Sequence, residues 1–156
     1  MTKTLVPSIR IGFVIAPENL IQAISHLRRT IDWQGNSMME VAIGELYKNG
    51  TIERHIKKSV KLYHERRDYF CKLLQEKLGN NISFKVPDGG MSVWVKFNKH
   101  DIKSVSQRAA QNGLIMSDGS FYNTGRVNYN SARFGFASLN LKEQRKAIEI
   151  LVKCIN

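Results

Sequence analysis

Apolar residues change their spacing repeatedly along this chain of 156 residues. Residues 10–16 (RIGFVIA) form a short, nearly continuous apolar run that stops at Pro17, the pattern of a strand buried on both faces, as in a parallel sheet. From Glu18 the spacing turns helical, with Leu20, Ile21, Ile24 and Leu27 along one side as far as about Ile31. The polar stretch 32–37 breaks that helix. Ser37 is placed to cap the next one, with Glu40 at capping-box spacing and Gly50 as the stop.

The longest element is a helix expected over Thr51–Leu78, where Ile52, Ile56, Val60, Tyr63, Phe70 and Leu74 recur at three, four and seven residues. At 1.5 Å per residue it spans about 40 Å, longer than a small domain needs, and suits a beam between two domains. Beyond Gly79 the spacing becomes alternating. Strands are expected at 82–86, 91–97, 114–117 and 131–136, the first pair separated by the turn signal Pro87-Asp88-Gly89-Gly90. A helix over 101–112 ends at Gly113, and Asn140 caps a last helix whose apolar side holds Leu141, Ile148, Leu151 and Val152. These elements spell β-β-α-β-β-α, an α/β unit in which helices cover one face of a mainly antiparallel sheet. The run at 10–16 has no partner strands upstream, so the first part of the chain reads as a remnant of a larger domain.

Composition narrows the function classes. Hydrophobic residues make up 42% and charged residues 24%, within the ordinary globular range. No apolar run reaches membrane-span length and the N-terminus lacks a secretory h-region, so a soluble cytoplasmic protein is expected, without a membrane partner. The excess of 24 Lys and Arg over 13 Asp and Glu gives a net charge of +11. Much of it lies on one face of the long helix (Arg54, His55, Lys57, Lys58, Lys61, Arg66 and Arg67), with no stacking-aromatic pattern beside it, which reads as solvated surface rather than a nucleic-acid site. Cys71 and Cys154 lack metal-ligand spacing. Cys71 falls on the apolar side of a helix and is expected as a buried thiol. His26, His55, His64 and His100 also lack ligand spacing, and no metal is expected.

Several short motifs occur in order. They are Thr2-Lys3-Thr4-Leu5-x-Pro7-x-x-Arg10-x-Gly12; Gly50-x-x-Glu53-Arg54-His55; Tyr63-x-x-Arg66-Arg67-Asp68; Pro87-x-Gly89-Gly90-Met91-x-x-Trp94; Gly119-Ser120-Phe121; and Asn130 to Ala137 around Arg133. Together they resemble the C-terminal part of fold-type-I aminotransferases that use pyridoxal phosphate (PLP). The resemblance divides the chain into residues 1–48 as a remnant of the large PLP-binding domain, 49–79 as a connecting helix and 80–156 as the small domain. It implies that Lys3 is the lysine joined to PLP as a Schiff base, that Arg10 holds the cofactor phosphate through its planar fork of donors, and that Arg133 pairs with a substrate or effector carboxylate. For Arg133 the residues agree, since an unpaired charge in an apolar strand is costly, the alternative being an edge-strand arginine that reaches solvent. Trp33, Phe121 and Tyr122 are either at the pocket mouth or ordinary core aromatics.

The large-domain loop that cups the phosphate, the aromatic stacked on the ring and the aspartate at the ring nitrogen all precede the lysine in this family. With Met1 and Thr2 alone ahead of Lys3, the isolated chain is expected not to catalyse and not to hold PLP stably. The resemblance leans toward the MocR-type regulators of the GntR family, in which a winged helix-turn-helix binds DNA and a dimeric aminotransferase-like domain senses an amino acid or amine. The alternatives are a free aminotransferase acting on an amino acid and, from the basic helix face, a small nucleic-acid-binding protein.

Overall fold

A computed structural model describes Leu5, Ile9 and residues 11–31 and 35–155. The chain forms two compact units, 1–59 and 60–156. Its helices are α1 (Glu18–Ile31), α2 (Ser37–Lys48), α3 (Thr51–Leu78), α4 (Ile102–Gln111) and α5 (Leu141–Ile155), and its strands are β1 (Ile82–Phe84), β2 (Ser92–Phe97) and β3 (Ser131–Gly135). α3 passes from one unit into the other.

In the first unit the helical spacing holds, but the strand does not. Residues 11–17 carry no secondary structure and pair with no described strand. Phe13, Val14 and Ile15 are consequently exposed. The cap of α2 is Asn36, whose side chain accepts from Met39 N at 3.1 Å, and Ser37 is the first helical residue. That one-residue shift takes Glu40 out of capping-box position, and it faces Arg28 at 3.8 Å instead. Gly50 ends the helix with φ +70°, a left-handed conformation that costs glycine little.

The second unit is a three-stranded antiparallel sheet in the order β1-β2-β3. β2 pairs Val95 with Phe84 on one side and with Ala132 on the other. Alternation along β2 sends Val93, Val95 and Phe97 into the core and leaves Ser92, Trp94 and Lys96 on the opposite face. The core is filled by Phe70, Leu74 and Leu78 of α3, Val105 and Ala109 of α4, and Ile148 and Leu151 of α5. Each such side chain removed from water contributes about 1.5–3 kcal/mol, which is why one face of the sheet and three helices close on each other. Cys71 and Cys154 are both buried free thiols, and burial pushes the Cys71 thiol above its ordinary range.

The fourth expected strand is absent. Leu114 and Met116 pack against the core and Ile115 points to solvent, so the alternation at 114–117 is real, yet no ladder forms. The chain instead crosses the start of β3, where Gly119 (φ +79°) lies so close that a Cβ would meet the Ser131 carbonyl oxygen at 2.4 Å. The unit is therefore β-β-α-β-α.

Asn130 ties this region together. It adopts φ +49°, donates from its side-chain nitrogen to Phe97 O at 2.8 Å and His100 O at 2.9 Å, and accepts from Ile102 N at 2.8 Å. Asn130→Ala is expected to cost about 3 kcal/mol in urea unfolding, through three lost hydrogen bonds and a strained backbone. Asn130→Gly, which relieves the strain alone, should cost less.

Two carboxylates make stability depend on pH. Asp101 caps α4 and is held below its ordinary value of 3.8 by the backbone N–H of Ser104 and then by its hydroxyl. Asp118 is lowered by the hydroxyl and then the N–H of Ser120. A depressed folded-state pKa gives stability that is present above the unfolded value and is lost as pH falls through the folded one. The unfolding midpoint should therefore decline as pH drops below 3.8, and Asp101→Asn, which keeps a capping side chain, should flatten that decline.

Candidate functional site

Arg133 lies in β3 directly opposite Trp94 of β2, so both side chains stand on the sheet face turned away from the core. The costly charge in an apolar strand that the sequence suggested is not there: alternation turns Arg133 outward, where it is exposed. Among the described residues no hydrogen bond or ion pair engages its guanidinium, which leaves a planar fork of donors open to an anion.

Beside it is an aromatic group. Tyr122 meets Trp94 edge to face, with ring centroids 4.9 Å apart and planes at 89°, and Phe121 meets Tyr122 in the same manner at 5.6 Å. Trp94 is half-exposed and Phe121 almost wholly so. Of the two sequence readings for Phe121 and Tyr122, core packing does not apply to Phe121. A cavity of about 260 Å³ is lined by Arg133, Phe134 and Gly135, by Ile115, Met116 and Ser117, and by Ile148 and Leu151 of α5.

Lys3, Arg10 and Trp33 lie outside the described residues, so their placement relative to any site is open. Among described residues 11–59, only Ile43 and Ile52 are buried. A cofactor ring and phosphate need a dry, enclosed bed, and these residues do not form one. The described part of the chain does not by itself fit PLP. His26, His55 and His64 are exposed and His100 is half-buried, and no group of described His, Cys, Asp or Glu residues has the arrangement of a metal site.

Sequence reasoning recognised the Tyr63-x-x-Arg66-Arg67-Asp68 motif but not its work. Arg66 donates to the carbonyl of Ala137, just past β3. Arg67 donates to Pro87 O at 3.1 Å, in the turn that leads into β2, and is bridged to Asp68 at 2.7 Å. Gln144, fully buried in α5, donates to Phe136 O at 3.0 Å. These contacts fix the ends of the two strands that carry Trp94 and Arg133. Their partners are backbone carbonyls distant in sequence, which no local signal announces, so the reading of Arg66 and Arg67 as solvated surface is corrected here. The rest of the basic face of α3 is solvated surface, with Lys57 paired to Glu53 at 2.7 Å.

No helix among the described residues is long and apolar enough to cross a membrane. The family model for class I and II aminotransferases matches residues 3–151. Among curated proteins, the chain is 27% identical over 140 residues to YdfD of Bacillus subtilis, an uncharacterized HTH-type transcriptional regulator, covering 89% of this chain and 29% of that one. It is 26% identical over 155 residues to aromatic-amino-acid aminotransferase 1 of Thermococcus litoralis, covering 99% and 37% respectively. The multiple substrate aminotransferase of Thermococcus profundus superposes with a TM-score of 0.88 at 28% identity, over 99% of this chain and 38% of that chain. The chain thus spans well under half of the proteins that it matches. By its motifs, its antiparallel small-domain sheet and the family match over nearly its whole length, the chain belongs to the class I and II aminotransferases.

Proposed function

We propose that residues 1–156 are the C-terminal, effector-sensing and dimerising part of a MocR-type regulator of the GntR family, and do not catalyse alone. The observation that carries this reading is the match to an HTH-type regulator over 89% of the chain, which accounts for 29% of that relative. In this reading residues 1–48 belong to a large PLP-binding domain, 49–79 connect, and 80–156 form the small domain. Lys3 and Arg10 hold PLP, which when bound supplies an electron sink to an amine, and Arg133 takes the effector's carboxylate. DNA is bound through a winged helix-turn-helix elsewhere in the protein, which works as a cytoplasmic homodimer. The second reading, a free aminotransferase acting on an amino acid, is favoured by the aminotransferases of similar sequence and structure. The coding sequence upstream of Met1 separates the two. A winged-helix domain ahead of the large domain supports the regulator, and a large domain alone sinks it.

Two outcomes are expected of the chain itself. In a PLP titration followed by visible absorbance, the signal should be weak, unsaturated and the same in wild type and Lys3→Ala. Described residues 11–59 form no enclosed bed for a ring and phosphate, and an exposed ion pair at Arg133 contributes about 0–1 kcal/mol. A tight, saturable signal lost in Lys3→Ala would show that the chain rebuilds the site.

The second outcome concerns assembly. α1 buries no residue, and Leu20, Ile24, Leu27 and Ile31 form an exposed apolar stripe along it. Sedimentation should therefore show dimers or larger species, shifted toward monomer by Leu27→Glu with Ile31→Glu. A wild-type chain that stays monomeric at high concentration would count against this.

A further inference from the structure

The outer face of the sheet carries more than one arginine. Arg133 and Trp94 are cross-strand partners, and Lys96 is the next outward residue along β2 after Trp94. Trp94 and Lys96 also line an open groove of about 870 Å³ with Lys85, just past β1, and Tyr129. None of the residues lining that groove is acidic. A half-exposed tryptophan therefore has one cation on β3, one on its own strand and one just past β1. The outward pair next to Arg133 and Trp94 is Ser92 with Gly135, both small, and a Cβ added at Gly135 would meet nothing closer than Met91 O at 4.0 Å. Arg133 and Trp94 thus share the outer face of the sheet, with small residues at the next outward pair. Tyr122 presses edge-on against the same ring, which fixes its plane without a covering residue from the core.

A half-exposed aromatic ring on a sheet face offers apolar area to a ligand, and an uncharged aliphatic ligand would gain nothing from the surrounding cations. An aromatic ring gains from both: it meets Trp94 offset or edge to face, while an attached carboxylate meets the open fork of Arg133. We propose that the acid taken by this face is an aromatic carboxylate, with Trp94, braced by Tyr122, as the residue that selects the ring. The inference rests on the reading of Arg133 as the carboxylate anchor and adds the class of acid. Lys85 and Lys96 give a general attraction to anions and set no preference between acids, since they have no fixed geometry toward Arg133.

The test uses the full chain, ¹⁵N-labelled, and three probes: hydrocinnamate, hexanoate and 3-phenylpropan-1-ol. The indole N–H signal of Trp94, assigned with Trp94→Phe, and the backbone amide of Arg133 report binding. Hydrocinnamate should shift both signals saturably and bind about fivefold more tightly than hexanoate. Trp94→Leu should remove that preference, read at Arg133, whereas Trp94→Phe should keep most of it. Arg133→Leu should weaken hydrocinnamate about fivefold. Equal affinity for hydrocinnamate and hexanoate, both lost in Arg133→Leu, would overturn the aromatic selection and leave the carboxylate anchor standing. Binding of the alcohol as tightly as the acid, unaffected by Arg133→Leu, would overturn the anchor and with it the inference. An unmoved Trp94 signal with every probe would overturn the inference outright. Trp94 lies outside the buried core, and an unchanged Val93 and Val95 amide pattern in Trp94→Leu verifies that the sheet persists.

Discussion

β2 is the strand on which the second unit depends, because it is the one strand paired on both edges. Its three inward residues, Val93, Val95 and Phe97, are almost completely buried, and every helix of that unit contributes side chains to the same core. Since side chains alternate along a strand, the same register that buries those residues puts Trp94 outward beside Arg133. A shift of one residue in β2 would drive Trp94 and Lys96 into the core and would separate the two groups of the candidate site. The hydrophobic core and the site are thus two consequences of one register.

That register is held at its ends by polar groups from far along the chain. Arg67 secures the turn before β2, Arg66 and Gln144 secure the chain after β3, and Asn130 secures the entry to β3. Each donates to a backbone carbonyl, a hydrogen bond worth about 0.5–1.5 kcal/mol net and more where the donor is charged. The conspicuous arginines of α3 are therefore split by function: Arg66 and Arg67 clamp strand ends, while Arg54 and Lys57 bond locally to their own helix region.

The first unit shows the opposite balance. α1 is strongly amphipathic and yet buries nothing, and Phe13 to Ile15 stand in solvent. Apolar periodicity specifies which face an element would bury and is silent on whether a partner is there to bury it. The proposed large domain is the natural cover for both surfaces, and self-association is the expected behaviour without it.

Much of this was legible in the sequence. The limits of α1 and α3, the stop at Gly50, the cap Asn140, and the change from helical to alternating spacing after Gly79 all follow from short-range geometry, which a sequence states directly. The ordered motifs identified the family. What only the tertiary structure decided depends on contacts between distant residues. Residues 11–17 pair with no described strand, and 114–117 failed to become one because Gly119 carries the chain across β3 rather than along it. Arg133 was recognised as an anion-binding candidate from its motif, but its exposure and its pairing with Trp94 came from the register of β2 with β3. Residue order along one strand says which side chains share a face; which strand lies beside it, and in what alignment, is settled by the packing of the whole unit.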